Sequence, residues 1–571
     1  MAKAGSFSFV LHSHLPYVRR AGVWPHGEEM VHEAICDTYV PLLNALYDLA
    51  GEGCPFRIAI GITPVLAEQL ADDVIVRNFQ DYMGSVISRV EQAARHYADM
   101  GDSHLPGLAG FYLDWHRHIL DSFRHRFGSD LVQAFRALQD GGQVELIASA
   151  ATHPFLPLMS RESTVRAQLA TGVAEYERRF GRRPRSLWLP ECGYRPAYYD
   201  VAGGRAAFRP GLEKHLEGLG IEAFFADSAA VEGGEISEVP AGLGSSMSPP
   251  FAARVPAQSR NLPYKSTAWP YLVSDSSVAV FGRDSLTGRQ VWSAIEGYPG
   301  HVNYREFHKK DAICGMRFWK ITGAGIDLAD KTYYQPDQAL ADVPRHVDHF
   351  IRLLEGHIAG NAGKAAVPPA IVAPYDTELF GHWWFEGVEW LKQVLRRLAT
   401  HPDIQLTTPS AYLERYPPTE RIALPESSWG AGGDSRTWMN HLTRWMWPII
   451  HGYERQMEEL VDRFATGEPS RHESLSQLAR ELMLLESSDW PFLISTGQAE
   501  AYASLRFRTH AARFDRLADR LLAGQDAGQD VAEMKDFDNL FAQVDCSLFG
   551  ERGQPAVASG PRPPDSGRRT F

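Results

Sequence analysis

The sequence predicts an α/β barrel followed by an all-helical region. Three observations predict it. Six or seven short apolar stretches alternate with helical periodicity between residues 7 and 406. That alternation gives a parallel sheet with right-handed crossovers, closed or nearly closed into a barrel. Chemistry-bearing residues recur just past the apolar stretches: His12, His14, His153, Glu191, Asp227, Asp284 and Asp376. Barrels place their active sites at such carboxyl-terminal strand ends. From Thr437 to about Leu522 only helical spacing is found, with Trp438, Trp445, Trp447 and Trp490 among the apolar positions.

Taken in order, Phe7–Leu11 is the first strand and runs into His12-Ser-His14-Leu-Pro. Two histidines at i and i+2 fall on one side of an extended segment. Trp24-Pro-His-Gly-Glu28-Glu29 opens a helix reaching about Leu49, with acidic residues in its first turn. Phe56–Ile62 is the second strand, and Thr63-Pro64 starts the next helix. Residues 75–139 read as long helices. Gln143–Ser149 is the third strand, ending at Thr152-His153-Pro154, and Ser163–Phe180 is helical. Ser186–Leu189 is the fourth strand and meets Pro190-Glu191 directly. Arg195–Glu217 is a polar, partly helical excursion before the strand Ala223–Ala226. Gly233–Ser266 is rich in Gly, Pro and Ser; a loop of this length in a compact domain is either functional or disordered. Ser277–Phe281 and Ala370–Ala373 complete the strands, with helices Ser285–Ile295, Asp337–Leu354 and Trp383–Leu398 between and after them. Ile404–Leu406 is an eighth strand or an edge piece.

The 571 residues suggest several units, and 44% hydrophobic content supplies a sizeable core. A formal charge of −13 argues against binding nucleic acid or an anionic membrane, but does not deter a neutral glucan. The five cysteines (Cys36, Cys54, Cys192, Cys314, Cys546) are scattered and form no C-x-x-C pair, so no disulfide framework or zinc ribbon is expected. No apolar run approaches the roughly 18 residues a membrane span needs. The amino terminus lacks a secretory h-region, so a cytoplasmic location is expected.

Glu191 and Asp376 are both carboxylates placed just past a strand and a proline, in Trp188-Leu-Pro-Glu-Cys-Gly-Tyr194 and Ile371-Val-Ala-Pro-Tyr-Asp376. Two such carboxylates are the minimum for glycoside chemistry. Taken alone, a glutamate of this kind is more often a cap or a solvated loop residue. Three chemistries compete. His12, His14 and His153 with an aspartate fit a metal hydrolase. The 14 Trp and 21 Tyr fit a protein that only stacks on sugar, or simply a large core. A glycosidase or transglycosylase would use both carboxylates, in either order of roles. Glu378, two residues after Asp376, is its rival for the acid/base role, and Asp376 is preferred. Cys192 has no activating partner in the sequence and reads as packing.

The motifs together resemble family-57 glycoside hydrolases, and within them the 1,4-α-glucan branching enzymes. The resemblance rests on His12-Ser-His-Leu-Pro, Gly142-Gln-Val-Glu-Leu-Ile147 with Thr152-His153, Trp188–Tyr194, Ala373–His382, and Trp429–Trp447 including Trp438-Met-Asn440. Gln290-Val-Trp292, Tyr298-Pro-Gly300 and Asp489-Trp-Pro-Phe492 are further similar segments. It implies a (β/α)7 barrel with a small helical insert and a C-terminal all-α domain. The divisions expected are 1–192 and 226–418 for the barrel, 193–225 for the insert, 419–525 for the helical domain, contributing to the cleft, and 526–571 for an extension with a disordered end. It implies a retaining, metal-free reaction without cofactor on α-1,4-glucan chains. Glu191 would be the nucleophile and Asp376 the acid/base, with carboxyl groups roughly 5–5.5 Å apart. His12, His14, His153, Trp24, Trp292, Trp438, Trp447 and Asp489 would contact glucan. Tyr264, with Tyr271 second, would be the loop tyrosine that shields the intermediate. Transfer to a glucan 6-hydroxyl makes a branch, transfer to a 4-hydroxyl disproportionates chains, and transfer to water makes an α-amylase-like hydrolase.

Overall fold

The structure, a computed structural model, describes residues 3–201, 206–233, 254–256, 265–465 and 469–550. The chain forms two compact units, each built from separated stretches. The first comprises Met1–Ile147, Arg178–Arg182 and Arg283–Pro417; the second comprises Ala148–Glu177, Arg183–Gly282 and Pro418–Phe571.

Seven strands run parallel: β1 (Gly5–Ser13), β2 (Ile58–Ile62), β3 (Val144–Ser149), β4 (Ser186–Trp188), β5 (Ala223–Ala226), β6 (Ala279–Gly282) and β7 (Ala370–Asp376). In the first unit β1 lies between β7 and β2, and β2 pairs with the start of β3. Ile404–Leu406 adds a short parallel pairing to the start of β1. The Asp284 amide, two residues beyond β6, donates to the Val372 carbonyl of β7 at 3.0 Å. In the second unit the last two residues of β3 pair with β4, then β5 and β6 follow. Tyr271–Val273 runs antiparallel beside β6.

β1 is buried on both faces along all nine residues, and its two faces take different side chains: Phe7, Phe9 and Leu11 on one, the small Ser6 and Ser8 and then Val10 and His12 on the other. Its Phe7 and Phe9 meet Phe350, from helix Pro336–Asn361, and Phe9 and Phe350 both meet Trp390 of helix Gly387–Ala399. Helix Asp73–Asp99 begins because the Asp72 carboxylate accepts from the amides of Val74 and Ile75. It buries Ile75, Phe79, Met83, Val86 and Val90 at three- and four-residue spacing against helix Leu105–Asp121.

In the second unit the stretch after β4 holds helix Leu212–Gly218 and a small antiparallel sheet of Tyr198–Asp200, Ala207–Arg209 and Arg254–Pro256. The carboxyl-terminal part is helical: Met446–Phe464, Pro469–Leu485, Asp489–Ser495, Glu500–Leu522 and Gly528–Phe537. Among the described residues, no helix is long and apolar enough to cross a membrane.

Candidate active site

In the second unit β4 ends against a proline, and the chain tightens into a 3-10 turn at Pro190–Cys192. Glu191 (φ 61°) and Cys192 (φ 49°) both adopt left-handed backbone, as does His153 (φ 59°) past the end of β3. Left-handed conformations are costly for residues other than glycine, and they collect at functional sites. Gly193 closes the turn because a Cβ there would lie 2.9 Å from the Pro190 carbonyl and 3.1 Å from the Phe155 ring.

The turn aims the Glu191 carboxylate at two donors. Trp429 Nε1–H donates to Oε2 at 2.7 Å, and Ser488 Oγ–H donates to Oε1 at 3.1 Å. The backbone explains why Trp429 arrives there: Tyr194 and Ser427 exchange amide–carbonyl bonds at 2.9 and 3.0 Å, and the Trp429 amide donates to the Glu191 carbonyl. Trp188 packs edge-on against the same indole, with centroids 4.9 Å apart. The Ser488 amide donates to the His153 carbonyl, and its hydroxyl lies 2.9 Å from His153 Nδ1. His153 Nδ1 is 3.9 Å from Glu191 Oε1. One carboxylate is therefore fixed at both oxygens, with an imidazole beside it.

In the first unit His12 and Asp376 are direct register partners at the ends of β1 and β7. The two strand ends are tied by Ser13 and Thr377, whose hydroxyls lie 2.7 Å apart. His12 and His14 stack with centroids 6.1 Å apart, as residues two apart on one strand face should. His12 is buried; burial, then neighbouring His14, hold its ring well below the usual histidine range, so it is neutral. His14 Nδ1 lies 3.1 Å from the Thr63 hydroxyl.

Past Asp376 the chain does not stay extended. It turns through Thr377–Leu379, and Glu378 is buried, accepting a hydrogen bond from the Tyr39 hydroxyl. Burial raises Glu378 to about 7 despite that bond. Gly381 (φ 101°) lets the loop press on the π-helical turn Ile35–Tyr39, where a Cβ at 381 would lie 1.9 Å from the Asp37 carbonyl. His382 Nδ1 is 3.1 Å from Asp37 Oδ2.

The aromatic expectations divide. Trp292 is half-exposed at the end of its helix and meets Trp383 edge-on at 5.8 Å. Trp24 is 76% exposed. Trp438 and Trp447 are buried: Trp438 stacks on Phe155 at 4.1 Å, and Trp447 donates to the Trp438 carbonyl. Those two rings are spent on packing, and Trp429 is the indole of that motif that reaches a carboxylate. Asp489 opens helix Asp489–Ser495 and accepts from the Ser487 hydroxyl at 2.5 Å; Ser488, next to it, contacts Glu191. Tyr264 lies outside the described residues. Tyr271 is buried in its strand, and its hydroxyl donates to the Ser266 carbonyl, so it is no free loop tyrosine.

The residues with metal-ligating side chains gather elsewhere. Among the described residues, only Glu481, His510 and Asp538 place three such ligand atoms within 4.8 Å of one another. Arg506 reaches His510 Nε2 at 3.0 Å and Arg513 donates to Asp538, so guanidinium groups already occupy that cluster.

Comparison with known proteins identifies the family of the chain. Residues 8–425 match the model for glycosyl hydrolase family 57, and residues 449–549 match that for the C-terminal region of 1,4-alpha-glucan branching enzyme. A 1,4-alpha-glucan branching enzyme of Thermococcus kodakarensis is 42% identical over 98% of this chain and 81% of its own sequence. Its crystal structure, in complex with glucose and additives, superposes with TM-score 0.88 at 41% identity, covering 98% of this chain and 99% of that one. A family-57-type branching enzyme of Pyrococcus horikoshii gives 0.86 at 38% identity over 97% and 98% of the two chains. The alpha-amylase AmyC of Thermotoga maritima gives 0.79 at 28% identity over 95% and 99%. The α/β class, the seven parallel strands and the helical C-terminal region agree with the expected (β/α)7 architecture. On the family match and these relatives, the chain belongs to glycosyl hydrolase family 57.

Proposed function

We propose that this chain is a 1,4-α-glucan branching enzyme that works by a retaining transglycosylation. The observation that carries the reading is Glu191, held on left-handed backbone with Trp429 and Ser488 each bonding one of its oxygens. A nucleophile needs such a fixed carboxylate. Glu191 attacks the anomeric carbon of an α-1,4-glucan while Asp376 gives its proton to the departing 4-oxygen. The C1–O4 bond breaks, a glucosyl ester forms on Glu191, and the shortened chain leaves with its new 4-hydroxyl. Asp376, now ionised, takes the proton from a 6-hydroxyl of an acceptor chain. That oxygen attacks C1, the ester bond breaks, and an α-1,6 branch results with Glu191 regenerated. His12 and His14, at the end of β1, and His153, past the end of β3, hydrogen-bond sugar hydroxyls, with neutral His12 able to donate and accept.

The match of residues 449–549 to the branching-enzyme C-terminal model favours branching over hydrolysis. The likeness to an alpha-amylase supports the second reading, in which water replaces the acceptor hydroxyl. Amylose incubation separates the two. Branching gives new α-1,6 linkages, released by a debranching enzyme, with few new reducing ends; hydrolysis gives many reducing ends and no branches. Glu191→Gln abolishes both while leaving glucan affinity, and retention of turnover in that variant would overturn the nucleophile assignment.

A further inference from the structure

Behind Ser488 and His153, within the second unit, runs a chain of buried hydrogen bonds. Its centre is Gln168, on helix Glu162–Phe180. Gln168 Nε2 donates to Glu486 Oε2 at 2.8 Å and to the Thr152 hydroxyl at 3.0 Å, while its Oε1 accepts from the Thr152 amide at 3.1 Å. The Thr152 hydroxyl donates in turn to the Met483 carbonyl. One side chain therefore grips two segments at once. The first is the turn 150–153, which sets the left-handed His153; the second is the stretch 483–488, which ends at Ser488. The two segments also meet directly, where Pro154 bridges Ser487 and the Ser488 amide donates to the His153 carbonyl at 3.0 Å.

This arrangement does not serve stability. Glu486, Gln168 and Thr152 are all buried, and among the described residues Glu486 Oε1 has no hydrogen-bond partner. Burial, and then the neighbouring Glu454, push the Glu486 carboxyl well above the usual carboxylate range, which favours the uncharged acid. A buried polar atom without a partner destabilises a fold, and an apolar residue of similar volume avoids that cost. Residues that break such local rules are expected at functional sites. The contact they support is also sensitive to position. A shift of roughly half an ångström takes Ser488 Oγ, now 3.1 Å from Glu191 Oε1, outside hydrogen-bond range.

We propose that Glu486 and Gln168 are positioning residues for the nucleophile: through Thr152 and Met483 they fix the turn bearing His153 against the stretch bearing Ser488, so that both meet the Glu191 carboxylate. The inference rests on the reading of Glu191 as the nucleophile.

Full-length Glu486→Leu keeps the volume and removes the acceptor for Gln168. Its kcat on amylose should fall about tenfold or more, as expected when a bond to a charged carboxylate is lost, with a parental circular-dichroism spectrum. It should fall as far on α-maltosyl fluoride, read by fluoride release, because that leaving group needs no proton and the defect lies at the nucleophile. Glu486→Gln keeps the acceptor oxygen and should retain kcat within about threefold of the parent. Should Glu486→Leu fail to fold, Thr152→Val breaks the same chain at the hydroxyl and should show the same loss on both substrates. A clamp that serves the fold alone leaves the kcat of the folded Glu486→Leu or Thr152→Val chain at the parental value, and that result overturns the proposal. So does a loss confined to amylose, which would place the defect at the acid/base, or a Glu486→Gln variant as impaired as Glu486→Leu. Failure of the underlying reading is distinct: Glu191→Gln then keeps its turnover, whatever residue stands at position 486.

Discussion

Replacing Glu378 by glutamine separates a buried supporting carboxyl from the acid/base it neighbours. The side chain is buried, and its folded value is raised to about 7, with burial the first cause. An unfolded glutamate titrates near about 4.3. Below the unfolded value both states are protonated and the site costs nothing. As pH rises, the unfolded chain releases its proton first, so folding stability falls between about 4.3 and about 7 and levels off above. The full loss is up to about 3.7 kcal/mol, at about 1.36 kcal/mol for each pH unit between those two values. Glutamine mimics the protonated acid and still accepts from Tyr39, so the variant lacks this loss. Urea unfolding followed by tryptophan fluorescence at about pH 5 and about pH 8.5 gives the stability difference between variant and parent, cancelling other buried carboxyls. That difference should grow by about 2 kcal/mol in favour of the variant over this interval. Branching activity should survive in large part, because Glu378 is spent on Tyr39. A variant that is less stable than the parent at the higher pH, or that loses all turnover with its fold intact, would refute the reasoning; the second result would move the acid/base role to Glu378.

Other outcomes follow from the same geometry. Trp429→Phe keeps the ring against Trp188 but removes the donor to Glu191 Oε2; a hydrogen bond to a charged group contributes about 1.5–3 kcal/mol, so kcat on amylose should fall roughly 10- to 150-fold with an unchanged circular-dichroism spectrum. Gly381→Ala forces a Cβ to 1.9 Å from the Asp37 carbonyl at a φ that alanine resists, and should displace the Asp376 loop, lowering activity far more than global stability. Phe9→Ala opens a cavity among Phe7, Phe350 and Trp390 and should cost about 3–5 kcal/mol in chemical denaturation without changing product type.

What the sequence displays follows from how each feature is encoded. β1 is legible because Phe7, Phe9, Val10 and Leu11 crowd a short stretch that ends at His12, although the strand also buries the small Ser6 and Ser8. Glu191 is legible because a proline and a glycine bracket it at a strand end. The left-handed backbone at Glu191, Cys192 and His153 is not, since no glycine marks it and the strain is held by surrounding structure. Position 378 is not legible, because an extended chain would put Glu378 on the same face as Asp376, whereas the 3-10 turn Thr377–Leu379 carries it inward to Tyr39. Among the tryptophans of one motif, sequence cannot tell a packed ring from a bonding one. Trp429 differs from Trp438 and Trp447 only through the backbone pairing of Ser427 with Tyr194, a contact between segments more than two hundred residues apart. The bond from Gln168 to Glu486 is hidden for the same reason, as it joins residues 318 apart.

The division of the chain into interleaved stretches bears on its synthesis. The second unit draws on Ala148–Glu177 and Arg183–Gly282 but is completed only by Pro418 onward. At roughly 5–20 residues per second, roughly 20–80 s separate the emergence of Ala148 from that of the last described helix. Through that interval the stretch 148–177 leaves the ribosome without the later helices that bond Thr152, Ser160 and Gln168, and surface left exposed in that state promotes aggregation. A stop codon after Pro417 would therefore not yield a shorter enzyme: it would leave the stretches 148–177 and 183–282 permanently in the nascent chain's exposed condition, and the product should be recovered in the insoluble fraction.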